Sequence, residues 1–299
     1  MLAVALALVS AVAFGASDYA AGLATRASGV LQVTLLAQVT SLTVALLVVP
    51  WVSPFRLSAA AAGWSATAGV AGVFGAVTLY IGFRHAVFSV ASTLSAVGAA
   101  ALPVLAGLFF GERPPALAWA GIALAIPAIV AISAGPAAAD AGPGDAGDGP
   151  SPHGRAATGR RSAGVAYGLA AGVGFALFFI GLNRAGSGSG LWPVIVADAA
   201  SVPVLAGCAL TARQLGLPAR GSRSLAAATG ATGVAGTIMF FLASHHGLLA
   251  VTAVITSLYP GGTILLARIS PGERLSPVRQ AGLALAGASV ALIAVAGAR

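Results

Sequence analysis

Apolar runs long enough to span a bilayer, about 20 residues each, follow one another along almost the whole chain, separated by short polar or glycine-rich stretches. They do not alternate with period two. A backbone in hydrocarbon satisfies its own N–H and C=O groups only as a helix or a closed barrel, so each run predicts a transmembrane helix. The expected spans are 2–25, 30–50, 60–83, 88–110 and 115–134, then 163–183, 191–211, 224–246, 249–269 and 276–297. The opening MLAVALALVSAVAFGASDYA has the apolar core of a signal peptide. It has no basic segment before that core, and its apolar character continues to Thr25, so it reads as the first helix. Residues 135–162 are rich in Gly, Pro, Ala and Asp and carry no aliphatic or aromatic anchor, which predicts a flexible, solvated linker. Asp140, Asp145, Asp148 and His153 within it are solvating residues. The chain thus divides into two five-helix parts, 1–134 and 163–299.

Composition agrees with this pattern. Hydrophobic residues make up 58% of the chain, charged residues only 7%, and the mean hydropathy is +0.96. The net charge of +8 comes from 15 basic residues, all arginine and scattered singly between apolar runs. Nucleic-acid binding needs a basic stripe interleaved with aromatics, and none is present. The single cysteine, Cys208, excludes an intrachain disulfide. P-loop, G-x-S-x-G and H-E-x-x-H motifs are all missing, so the sequence carries no signal for ATP-driven transport, hydrolytic catalysis, a cofactor or a metal.

The two parts match without a gap at an offset of 161 residues. Gly69, Gly72 and Gly75 fall on Gly230, Gly233 and Gly236; His85 falls on His246, and Val90 on Val251. Gly111-Glu112-Arg113 falls on Gly272-Glu273-Arg274, and Gly121 on Gly282. Because five is odd, the second copy enters the membrane with opposite orientation. The expected fold is therefore an all-α integral membrane protein whose ten helices form two inverted five-helix repeats. Secondary transporters recurrently use that plan, with a substrate site near the midplane. The plainer alternative is a duplicated scaffold without transport.

Two five-helix halves, a GER turn between the last two helices of each, and a small-residue third helix resemble the EamA family of the drug/metabolite transporter superfamily. The resemblance covers nearly the whole chain apart from the linker. It implies a multi-pass protein of the cell membrane that moves small metabolites, amino acids or drugs, often outward, through a pathway lined by helices three, four, eight and nine. Its partners would then be a small-molecule solute, the lipid bilayer and, as a candidate coupling ion, the proton.

Asp18 is the most informative single residue, because an acid at the centre of a membrane helix costs about 2.5–3.5 kcal/mol on insertion scales. Either it faces a cavity, as a proton or cation site or a contact to a substrate amine, or it reaches the interface beside Arg26. Asp198 sits in the seventh helix, and counting from the helix ends puts it in the opposite leaflet from Asp18. Gln38 occupies roughly the repeat-equivalent place of Asp198 and is expected to hydrogen-bond between helices. Gly69, Gly72, Gly75, Gly230, Gly233 and Gly236 read as close-packing positions. His85 and His246 end their helices, where a cation complements the dipole, with a gate or proton relay as the alternative. The polar handles expected around an apolar central cavity are Trp64, Tyr80, Ser92, Ser95, Asn183, Thr252, Thr256, Ser257 and Tyr259. Hydroxyls bonded to their own helices are the plainer reading of the Ser and Thr residues. Pro103 and Pro260 are expected to open helices four and nine. Glu112 and Glu273 read as turn residues near the N-terminus of the helix that follows each. An intramembrane enzyme acting on a lipid-linked group is the alternative from another class.

Orientation is contested. With the N-terminus inside, four arginines lie on the inner side and 11 on the outer, so the positive-inside rule favours both termini outside. The family resemblance implies both termini inside.

Overall fold

The computed structural model describes residues 1–85, 88–133, 153–269 and 276–296. Its helices are α1 (Leu2–Ala27), α2 (Val30–Val52), α3 (Ala59–His85), α4 (Phe88–Phe109), α5 (Ala116–Ser133), α6 (His153–Arg184), α7 (Trp192–Thr211), α8 (Arg220–His246), α9 (Leu249–Thr256), α10 (Tyr259–Ile269) and α11 (Pro277–Ala296). Among the described residues, nine of them are long and apolar enough to cross a membrane. Large apolar side chains such as Leu47, Leu105 and Phe74 point outward, as lipid-facing positions should. Trp51 and Phe109, each 88% exposed, stand at helix ends where aromatic side chains suit the headgroup level.

Two expectations about helix limits are corrected. The ninth span, 249–269, is not one helix but is broken into α9 and α10, at the place where Pro260 was expected to open it. The N–H of Leu258 turns back to Ile255 C=O (3.1 Å) and that of Gly261 to Leu258 C=O (2.8 Å). Pro260 has no N–H to give the carbonyl of Thr256, and Gly261-Gly262 after it are poor helix formers. Pro103, by contrast, lies inside an unbroken α4, where Ala100, Ala101, Leu102, Leu105 and Ala106 favour the helix. The second correction is at the linker. Helix α6 reaches back to His153, through a stretch whose Ala and Arg residues are good helix formers. The rest of the predicted linker, 135–152, lies outside the described residues.

The most extensive contacts join one half of the chain to the other: α1 packs on α8, α3 on α6, α5 on α11, α4 on α6, and α2 on both α7 and α8. Hydroxyl groups reinforce these seams. Ser10 Oγ donates to Gly236 C=O (2.8 Å), Ser17 Oγ to Thr229 C=O (2.9 Å) and Ser289 Oγ to Gly121 C=O (2.7 Å). Glycines set how closely the helices approach. A Cβ at Gly75 would lie 3.0 Å from the Phe175 ring, and one at Gly236 would lie 3.0 Å from the Phe14 ring. Likewise Gly121 faces the side chain of Ile293, while Gly282 faces the backbone of Ile132, each with a Cβ distance of 2.6 Å. In both pairs, partners as well as glycines correspond at the 161-residue offset.

The first GER turn has a different role from the one expected. Gly111 (φ 89°) ends α4 in the left-handed conformation, with Glu112 N–H reaching back to Gly107 C=O at 2.8 Å. The Glu112 carboxylate does not serve the helix that follows. It accepts hydrogen bonds from the N–H groups of Leu249 (2.6 Å) and Ala250 (3.0 Å), the first two residues of α9. The N-cap of α9 is Leu248, which offers no side-chain acceptor, so orphan N–H groups and the helix dipole draw the anion from the other half. Gly107 leaves the space that the carboxylate occupies. The second triplet, Gly272-Glu273-Arg274, lies outside the described residues.

Two stability measurements check this packing in detergent. Gly282→Ala drives a methyl group into the Ile132 backbone and should cost about 1–3 kcal/mol, whereas Gly287→Ala, on the same helix with open space around it, should be neutral or stabilising. Glu112→Ala should cost about 1–2 kcal/mol through loss of the α9 cap, read as a lower midpoint of thermal unfolding.

Candidate functional site

A cavity of about 130 Å³ lies where the halves meet, bounded by α1, α2, α3, α6, α7, α8 and the first residue of α10. Of helices three, four, eight and nine, expected to line a pathway, α3 and α8 line this cavity and the other two largely do not. Helix α4 contributes no lining residue, and the ninth span contributes only Tyr259. The reason is packing: α4 is covered by α6 and α9, while α1, α2, α6 and α7 turn a face inward.

The cavity is centred on four contacts between helices. Gln38 and Ser41 are three residues apart, so they share a face of α2. Gln38 Nε2 donates to Asp198 Oδ1 at 2.7 Å, and Ser41 Oγ donates to Asp198 Oδ2 at 2.7 Å. On each side of this pair a backbone carbonyl presses on a glycine. A Cβ at Gly69 of α3 would collide with Ala197 C=O, and a Cβ at Gly230 of α8 would collide with Ala37 C=O. The residues that make the hydrogen bond, Asp198 and Gln38, are thus the immediate neighbours of the residues that make the close contacts. The chain α3–α7–α2–α8 is stitched together through them.

Asp18 faces the same cavity from α1. Its Oδ1 accepts from Tyr80 Oη at 3.3 Å, a long bond that leaves most of the carboxylate's acceptor capacity open. Of the chain's seven acidic residues, Asp18 and Asp198 are the two that lie within the apolar spans, and both line this one space. The two acids that counting along the helices would place apart thus share one cavity. Counting residues from helix ends ignores the tilt and stagger of the helices, which bring the two carboxylates onto a common cavity.

The remaining wall is aromatic. Phe14 lies one turn before Asp18 on α1, and Phe175, Phe178 and Phe179 occupy one face of α6. Gly72 makes room for the Phe178 ring, which a Cβ would approach to 2.8 Å. Phe179 also stacks on Phe240 at 4.3 Å, which anchors it to α8. Tyr259 closes the wall, its hydroxyl 3.1 Å from Ser95 Oγ.

Asp18, Gln38, Tyr80, Asp198 and Tyr259 are thus the sequence-derived candidates that the fold brings together, and Gly69, Gly72, Gly230 and Gly233 join them as lining as well as packing residues. The other candidates lie off the cavity. Trp64 is exposed beneath the Arg184 guanidinium, 5.8 Å from its ring centroid. Asn183 Nδ2 donates to Ser244 C=O at 3.1 Å, tying α6 to α8. Thr252 Oγ1 donates to Leu248 C=O in its own helix. Ser92, Thr256 and Ser257 are buried without facing the space. His246 is exposed at the end of α8, and the side chain of His85 lies outside the described residues.

Sequence reasoning missed Ser17, Ser41, Thr229, Thr237 and the four phenylalanines. One signal was available. At the 161-residue offset Phe14, Ser17 and Asp18 fall on Phe175, Phe178 and Phe179, so an acid on one helix marks the matching face of its counterpart.

No protein-family model matches the chain, and no curated protein does. Among solved structures 27 chains are similar. One, described only as "Crystal structure of protein", superposes with a TM-score of 0.67 at 17% identity, over 96% of this chain and 96% of that one. At that identity the likeness shows the fold alone.

The Asp198 cluster makes a measurable prediction. Gln38→Ala and Ser41→Ala should each destabilise the protein by about 1–3 kcal/mol, because each leaves the buried carboxylate short of a donor. Both bonds serve one carboxylate, so the double variant should depart from the sum of the singles in thermal unfolding.

Proposed function

We propose that this chain is a secondary transporter of the cell membrane, built as two inverted five-helix repeats and related to the EamA family of the drug/metabolite transporter superfamily. It moves a small metabolite, amino acid or drug, in the outward direction, by alternating access of the central cavity. The observation that carries this reading is the cavity itself: a space with two carboxylates, placed between the halves of an otherwise apolar bundle. Intramembrane acids are expensive, and they mark substrate or ion pathways by default. A scaffold would be expected to close this space with apolar side chains.

The inverted repeat is supported by reciprocity. Helix α1 meets α8 as α6 meets α3, α2 meets α8 as α7 meets α3, and the glycine contacts of the two halves correspond at one offset. Contacts of this interlocked kind let one half rock against the other around a fixed site. The intramembrane-enzyme reading gains less support. The cavity's hydroxyls from Ser17, Thr34 and Thr229 donate to backbone carbonyls, and Asp198 is held by two donors. Ser41 and Tyr80 donate to the two carboxylates, and no histidine is found among the described lining residues to act as the base of a nucleophilic hydroxyl.

In this reading Asp18 is the proton carrier, since it lines the cavity with the fewest protein partners. Cells expressing the chain are screened for metabolite export and toxin resistance, and the solute found is then followed in reconstituted vesicles with and without a pH gradient. Gradient-driven flux should fall to background in Asp18→Asn. Full gradient-driven transport by that variant would remove the coupling role, and absence of any flux by the wild-type chain would remove the transporter reading.

A further inference from the structure

The charge of the cavity wall is one-sided. It offers two carboxylates, Asp18 and Asp198, and among the described lining residues there is no Arg, Lys or His to balance them. Asp198 is already engaged by Gln38 and Ser41 at 2.7 Å each, whereas Asp18 has only the long contact from Tyr80 at 3.3 Å. The open acceptor of the site is therefore Asp18. Phe14 lies one helical turn away on the same face, and Phe175, Phe178, Phe179 and Tyr259 line the same cavity. A carboxylate amid aromatic faces is the arrangement that desolvates an organic ammonium most favourably, through charge pairing and attraction to the ring quadrupoles. A volume of about 130 Å³ is close to that of a pocket that accepts a single benzene ring, so the occupant is compact.

Resting on the transporter reading of this same site, we propose that the substrate class is a small organic cation, an aromatic or alkyl ammonium without a carboxylate of its own. The amine pairs with Asp18, and the apolar body lies against Phe14 and Phe178. A zwitterionic amino acid is disfavoured, because its carboxylate would enter a space already holding two acids and no cationic partner. This narrows the small metabolites, amino acids and drugs of the broader reading to the amines among them.

The test uses the full chain in lipid nanodiscs, with radiolabelled benzylammonium as the probe and unlabelled benzylammonium, benzyl alcohol, phenylglycine and benzoate as competitors. These share one ring and differ in charge. Benzyl alcohol should compete about tenfold less well than benzylammonium, and phenylglycine and benzoate less well again. Asp18→Asn should weaken benzylammonium binding about tenfold and flatten the difference from benzyl alcohol, while Asp18→Glu keeps the preference. If Asp18→Asn does not yield a monodisperse protein, Phe178→Leu serves instead. It should weaken benzylammonium and benzyl alcohol together and leave the order of the four ligands intact.

Benzoate or phenylglycine competing as well as benzylammonium would overturn the proposal, as would the lack of any saturable benzylammonium binding. Flux of the same label in proteoliposomes separates this inference from the transporter reading. Selective cation binding without flux removes transport and leaves the ligand class standing. Flux of phenylglycine with none of benzylammonium removes the ligand class and leaves transport standing.

Discussion

A carboxylate placed in hydrocarbon has to find its hydrogen-bond donors inside the protein, and Asp198 finds both of them on another helix. Much of the architecture follows from that constraint. To bring Gln38 and Ser41 within 2.7 Å of Asp198, α2 and α7 must cross closely, and the residues beside the bond, Ala37 and Ala197, then push their carbonyls outward. Gly230 and Gly69 receive those carbonyls. No residue with a Cβ fits at either place without moving a helix backbone. The polar cluster and the glycine contacts are therefore a single structural unit, in which each makes the other's geometry attainable.

The same economy explains why the cavity persists. Small residues bring helix backbones together at Gly69, Gly75 and Gly230, while bulky rings at Phe14, Phe175 and Phe178 hold apart the faces beside them. Close contact and open space alternate along α3 and α8. Without a hydrophobic drive between helices in lipid, association relies on such close packing and on interhelical hydrogen bonds. The hydroxyl-to-carbonyl bonds of Ser10 and Ser17 add to it along α1. Glu112 supplies a further tie between the halves at one end of the bundle, where its carboxylate holds the start of α9.

Much of the helical frame was legible in the sequence, because a membrane span is a local property: length and apolar character are enough. The spans expected at 30–50, 88–110 and 191–211 agree with α2, α4 and α7 to within a turn. The ninth span departs because Pro260 and the two glycines after it act together, whereas Pro103 amid good helix formers does not interrupt α4. The GER triplet was visible as a turn, and Gly111 has the left-handed conformation such a turn requires. Its acid was assigned to the wrong helix, since nothing local tells Glu112 that the uncapped N-terminus of α9 lies beside it.

The sequence by itself determined the medium, the helices, the offset that relates the two halves and the rarity of acids within the spans, all of which depend on residue type and spacing along one chain. Only the tertiary structure decided which acids share a cavity, which helices surround it and which donors Asp198 receives. Those outcomes depend on tilt, stagger and the distance of closest approach between helices. Glycine sets that distance only once the partner backbone is known, and a chain read one residue at a time does not contain the partner.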